Sequence, residues 1–189
     1  MKISLNTGHA APTLLASRIY LRPIIKTDYS AIKLYRQDAE NCRYIRPAES
    51  DTKIMEIVEQ LSQPWHLAIG RWNALAICLQ DDNSLVGEIA FRIEDWDNQR
   101  GEIGYRLSAE VAGQGLCSEA ANLLISYLFQ TLGFFKLIAR CDPRNIASFR
   151  IMEKLGFVRE AFFKQHYLMG GEWADQYDYG LLASEWSVK

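Results

Sequence analysis

Apolar and polar positions along the chain fall into two alternating rhythms, period 2 and period 3.6, and their order predicts the architecture. "RIYLRPI" (18–24) alternates and reads as a strand. "TDYSAIKLYRQD" (27–38) follows as a helix, with Thr27 or Asp28 as its cap and Ala31, Ile32, Leu34 and Tyr35 as its apolar face. Ile54, Ile57, Val58 and Leu61 repeat at helical spacing. Short apolar runs then predict strands over 65–69, 74–79, 85–93 and 101–108, with "DDNS" (81–84) and "DWDN" (95–98) as turns. Connections this short make an antiparallel meander. Ala120, Ala121, Leu124, Ile125, Leu128 and Leu132 form the stripe of a helix, and Gly133 stops it. "KLIARC" (136–141) is a strand, so the order strand, loop, helix, strand makes 101–108 and 136–141 parallel neighbours. A helix starts after "PRN" (143–145) with Asn145 as its cap and ends at Gly156. The two remaining segments form a hairpin around "GGE" (170–172). The fold class is α+β, a mixed and mostly antiparallel sheet with about four helices. Residues 1–16 are expected to be a loose tail, and 17–189 one domain.

A chain of 189 residues with 49% apolar and 23% charged side chains suits one globular domain. A net charge of −2 gives no reason to expect nucleic acid as a partner. Four scattered cysteines and three distant histidines lack metal-binding or disulfide spacing, so no metal is expected. No signal peptide or membrane span is evident, and a cytoplasmic protein is the expectation.

Candidate chemistry centres on "AGQGLCSEA" (112–120). Gly113 and Gly115 expose backbone N–H groups just ahead of a helix start near Ser118, where the helix dipole favours an anion. A structural strand-to-helix turn is the competing assignment. The stretch fits neither GxxxxGK[ST] nor GxGxxG. The second element is "ARCDPRNIASFRIMEKLGF" (139–157). Asn145 and Ser148, three apart, share a helix face that leaves the second of the two parallel strands. If those strands splay, a long thin ligand fits between them, phosphates at the loop and reactive end near Ser148. The competing roles are a cap for Asn145 and a locally bonded hydroxyl for Ser148.

Together, "SRIYLRPI", "GEIGYRL", "AGQGLCSEA", "DPRNIASFRIMEKLGF" and "GGEWADQYDYGLL" resemble the GCN5-related N-acetyltransferases (GNAT), in the branch with the ribosomal-protein N-terminal acetyltransferases. The resemblance implies splayed fourth and fifth strands (101–108 and 136–141) with acetyl-CoA in the wedge. It assigns the pyrophosphate to Ala112, Gly113, Gln114, Gly115, Leu116, Cys117 and Ser118. It assigns the pantetheine arm to the Leu107 backbone and to Asn145. The family's loop, [QR]-x-x-G-x-[GA], falls on Ala112, Gly115 and Cys117, so two of its three anchors differ here. Many relatives protonate the departing thiolate with a Tyr seven residues after the Asn. That position is Met152 here, and the resemblance to this branch implies Ser148 as the catalytic replacement. For the base, Glu102 and Glu88 are the candidates, with His166 behind them. A salt bridge from Glu102 to Arg106 or another neighbour is the competing role. The acceptor implied is a protein or peptide N-terminus. A small-molecule amine such as an antibiotic or polyamine is the alternative, and a non-catalytic acyl-CoA sensor is a third reading.

Overall fold

In the computed structural model, which describes residues 9–187, eight strands form one sheet. They are β1 (Leu14–Leu15), β2 (Ile19–Pro23), β3 (Asn73–Leu79), β4 (Leu85–Asp95), β5 (Arg100–Leu107), β6 (Lys136–Cys141), β7 (Val158–Met169) and β8 (Glu172–Leu182). The helices are α1 (Tyr29–Gln37), the single turn α2 (Ala39–Cys42), α3 (Asp51–Leu61), α4 (Leu116–Gln130) and α5 (Ile146–Leu155). Across the sheet the order is β1-β2-β3-β4-β5-β6-β8-β7. Neighbours are antiparallel except β5 and β6, which α4 joins as a parallel crossover. The α+β class and the parallel pair expected from the sequence are both present; the short β1 shifts the strand numbers by one.

Strand alternation divides the central strands between two cores. Ile89, Phe91, Ile93 and Ile103 pack with Ala120, Ala121, Leu124, Ile125 and Leu128 of α4. On the opposite face Ala74, Ala76 and Cys78 pack with Ile32 and Tyr35 of α1 and Ile54 and Val58 of α3. Each fully buried aliphatic side chain contributes about 1.5–3 kcal/mol. The register Glu88↔Arg106 and Ala90↔Gly104 therefore puts Glu88, Glu102, Gly104 and Arg106 on the α1/α3 face. Tyr105 and Leu107 pack against the α4 core.

Two expectations change. The run 65–69 makes only single bridges, Trp65 with His9 and Ile69 with Ile93, and is not a strand. Its apolar character comes from Trp65 and Leu67, both buried in the core. The Asn73 side chain takes over its backbone bonds, accepting from His66 N at 2.9 Å and donating to His66 O at 3.2 Å. Of the expected tail, residues 1–8 lie outside the described residues. Residues 9–16 lie against the fold, because Ala11, Leu14 and Ala16 pack on the core and Leu14 pairs with Leu21.

Candidate active site

β5 and β6 pair only at Arg100↔Lys136, Gly101↔Leu137 and Glu102↔Ile138. Beyond that point β5 stays with β4 as far as Gly87↔Leu107, while β6 follows β8 to Cys141↔Tyr177. The strands share a root and part toward their C-terminal ends. Among the described residues the edge of β5 from Ile103 to Leu107 then has no strand on its β6 side, so backbone groups including those of Leu107 face the gap. A cavity of about 1080 Å³ opens there, lined by Gly104, Leu107, Gly113, Gly115, Asn145 and Ser148 among others.

At the mouth of the gap, a 3-10 turn over Ala109–Val111 leads through Ala112 to Gly113 (φ 78°) and Gly115 (φ 80°), the N-cap of α4. Positive φ suits glycine at both positions. A Cβ on Gly113 would meet nothing within 4 Å, so the space over the loop is open. The helix starts at Leu116, two residues before the expected Ser118. The first intrahelical bond runs from Glu119 N to Gly115 O at 3.2 Å, leaving the N–H groups of Leu116, Cys117 and Ser118 ahead of it. Dipole and free donors make this an anion cradle that needs no lysine, and the residues present fit a pyrophosphate. Cys117, which departs from the family's small residue, is buried, and burial pushes its thiol up to about 12.

Sequence reasoning missed Arg18. From the start of β2 it donates to Gln114 O at 2.9 Å, and its Nε and backbone N donate to Glu119 at 2.8 and 3.0 Å. Burial raises the Glu119 carboxyl, but the bonds from Arg18 and Ser17 outweigh it and leave that carboxyl below its ordinary value. Arg18 thus ties the glycine loop to the first turn of α4.

Asn145 caps α5, its Oδ1 accepting from Ser148 N at 3.1 Å. Ser148 Oγ lies 3.4 Å from the Tyr105 hydroxyl, which donates to Ser148 O at 2.9 Å. Burial pushes the Tyr105 hydroxyl well above the ordinary tyrosine range, so it stays protonated. Met152 is in the core. Ser148 and Tyr105 therefore form the hydroxyl pair on the α4/α5 side of the gap; Tyr105 carried no signal in the sequence beyond its place in "GEIGYRL".

The opposite side of the gap is ionic. Glu102 Oε2 accepts from Arg92 Nε and Arg140 Nη1, each at 2.7 Å, and none of its arginine bonds uses Oε1. Its partners are Arg92 and Arg140, not Arg106. Burial pushes the Glu102 carboxyl up against the pull of both arginines. The adjacent Glu94 carboxyl is held below its ordinary value, chiefly by its bond from Arg140. Glu88 is bound by Arg36 and by the Tyr35 hydroxyl. His166 stacks on Phe163 in the exposed β7, and it does not line the cavity.

A splayed parallel pair with an anion cradle at its mouth defines an acyl-CoA transferase of the GNAT type. The chain belongs to that family: the acetyltransferase (GNAT) domain model matches residues 18–158, which makes it an acetyl-CoA-dependent N-acetyltransferase. The GNAT-family acetyltransferase from Bacillus anthracis superposes with a TM-score of 0.81 at 29% identity, over 92% of this chain and 100% of that one. The uncharacterized N-acetyltransferase YnaD of Bacillus subtilis is 29% identical over 92% of this chain and 99% of its own. The [ribosomal protein uS5]-alanine N-acetyltransferase of Escherichia coli is 29% identical over 45% of this chain and 44% of its own. The spermidine N(1)-acetyltransferase of the same organism is 24% identical over 76% of this chain and 81% of its own.

Proposed function

We propose that the chain acetylates α-amino groups, on protein or peptide N-termini, with acetyl-CoA held across the gap. The pyrophosphate lies at Ala112–Ser118, and the pantetheine arm along the open edge of β5 at Leu107 and beside Asn145. The bond from Ser148 N occupies Asn145 Oδ1, which leaves Nδ2 for the arm. When bound, acetyl-CoA supplies a thioester. The amine forms a C–N bond to its carbonyl carbon, the C–S bond breaks, and one amine proton is lost while the thiolate gains one.

On the α4/α5 side, Ser148 donates a hydrogen bond to the departing thiolate. Its contact with Tyr105 is long, so it is easily given up, while Tyr105 remains protonated and holds the Ser148 carbonyl. On the other side, Glu102 takes the amine proton through Oε1, directly or through water. Opposed environments for Glu94 and Glu102 suit this division, the first fixed as a carboxylate and the second the better proton acceptor.

One observation carries the choice of acceptor. Glu40, Glu88, Glu102 and Asp142, the carboxylates that line the cavity, are each already bonded to an arginine. Even a carboxylate that burial lifts, as Glu102 is, stays far less basic than a lysine amine, so the acceptor's own deprotonation decides. At pH 7 an α-amine is about 10% deprotonated and a lysine amine only about 0.04%. The uS5-alanine relative supports a protein acceptor. The spermidine relative supports a polyamine, so spermidine belongs in the assay. CoA release from acetyl-CoA, measured over N-terminal peptides, N-blocked lysine peptides and spermidine, tests the proposal; turnover of spermidine alone contradicts it.

A further inference from the structure

A second ionic group sits beyond Gly104 on the α1/α3 face. Arg36 bonds both Glu49, at 2.7 Å, and Glu88. Arg46 reaches Glu49 at 3.5 Å. Arg106 approaches Glu49 only at 3.9 Å, and its buried Nη1 has no hydrogen-bond acceptor. Three guanidiniums share two carboxylates, an excess of one positive charge. Arg106 is 6% exposed, yet it lines the same cavity as Gly104 and Ser148.

A buried guanidinium nitrogen without an acceptor is unfavourable, since it loses water and gains nothing. Burial and the neighbouring Arg36 push the Arg106 guanidinium below its ordinary range, so its charge is borne at a cost that an anion relieves. The pyrophosphate cradle is at the other side of β5, at the start of α4, so acetyl-CoA does not supply that anion. Gly104 and Arg106 are neighbours on one strand face, roughly 7 Å apart along the strand.

We infer that Arg106 is a specificity site for a carboxylate on the acceptor, close to the amine that reacts. The planar fork of arginine suits a carboxylate bidentately. The ligand class is an amine with a nearby carboxylate: an amino acid, or an N-terminus followed by an acidic side chain. A polyamine brings only positive charge to this point. The inference takes the side on which the acceptor enters from the proposed function, but the site is tested without turnover.

Calorimetric titration of the CoA-loaded protein with N-acetylated products makes the test. One pair is acetyl-Ala-Asp-amide against acetyl-Ala-Asn-amide, and the other is acetylalanine against acetylalaninamide. The first pair reports a side-chain carboxylate and the second a main-chain one. In at least one pair the charged member binds at least tenfold more tightly, and Arg106→Met abolishes the difference while CoA affinity is unchanged. Arg106→Lys, which keeps the charge but not the fork, lowers the preference several-fold and carries the comparison should the Met variant not fold. Equal binding within both pairs, no binding of any product, or a preference that survives substitution of Arg106 overturns the inference. Failure of α-amine turnover leaves these measurements standing.

Discussion

Ser148 and Glu102 face the gap from opposite sides of the sheet, and the role proposed for each implies a separate kinetic signature. Ser148→Ala removes a donor used when charge develops on sulfur, so kcat falls about tenfold or more, or roughly 1.4 kcal/mol, while acetyl-CoA binding is unchanged. Stopped-flow turnover and calorimetry check the two halves; unchanged kcat contradicts the role. Glu102 acts only once deprotonated, and burial lifts its folded value above the ordinary carboxylate range. Activity therefore rises with pH through that lifted value and again through the amine near ~8. Glu102→Gln deletes the first rise, and its deficit shrinks as the amine deprotonates unaided. A pH–rate profile in which the deficit stays constant contradicts the assignment. That Asn145 caps the helix that carries Ser148 was legible, because a three-residue spacing is local. Tyr105 was not, because the Ser148 contact spans 43 residues of chain. Nor was the partner of Glu102 legible: alternation puts it on a face with Arg106, but the adjoining strands supply Arg92 and Arg140.

At the scale of elements, the glycine loop is held by a strand far from it in sequence. Arg18 bridges Gln114 O and Glu119, so Arg18→Met frees the loop and takes a positive charge from its rim. The Kd for acetyl-CoA should rise about tenfold, roughly 1.4 kcal/mol, with KM following and kcat nearly constant. A variant that loses kcat and keeps its KM would show that Arg18 serves the chemistry instead. The parallel pair was legible from the order strand, loop, helix, strand, because a crossover of that length forces it. How far the pairing runs was not, since it depends on β8 drawing β6 away after Ile138. Residues 65–69 misled because burial of Trp65 and Leu67 produces the apolar run of a strand while Asn73 supplies the backbone bonds. Leu14 and Ala16 gave too short an apolar signal to lift 9–16 out of a tail, yet they pack on the core.

Over the whole molecule, one sheet separates two kinds of chemistry. The α4/α5 side offers backbone donors and hydroxyls, and the α1/α3 side offers paired charges, with the gap between β5 and β6 as the passage between them. A ligand that spans the gap adds to the three backbone pairs at its root and to the Tyr105–Ser148 and Arg140–Glu102 bonds across it. Acetyl-CoA at about 100 times its Kd should stabilise the fold by ~2.7 kcal/mol, raising Tm by about 5–10 °C in calorimetry. No shift at that concentration would show that acetyl-CoA does not bind the folded chain preferentially. In the proposed function the gap delivers acetyl groups to α-amines. Matched peptides test it most directly, one with a free N-terminus and no lysine, the other N-blocked with one lysine, incubated with acetyl-CoA and read by tandem mass spectrometry. Acetylation of the α-nitrogen is expected to run at least tenfold faster than that of the lysine at pH 7. Equal rates, or a faster lysine, would contradict it.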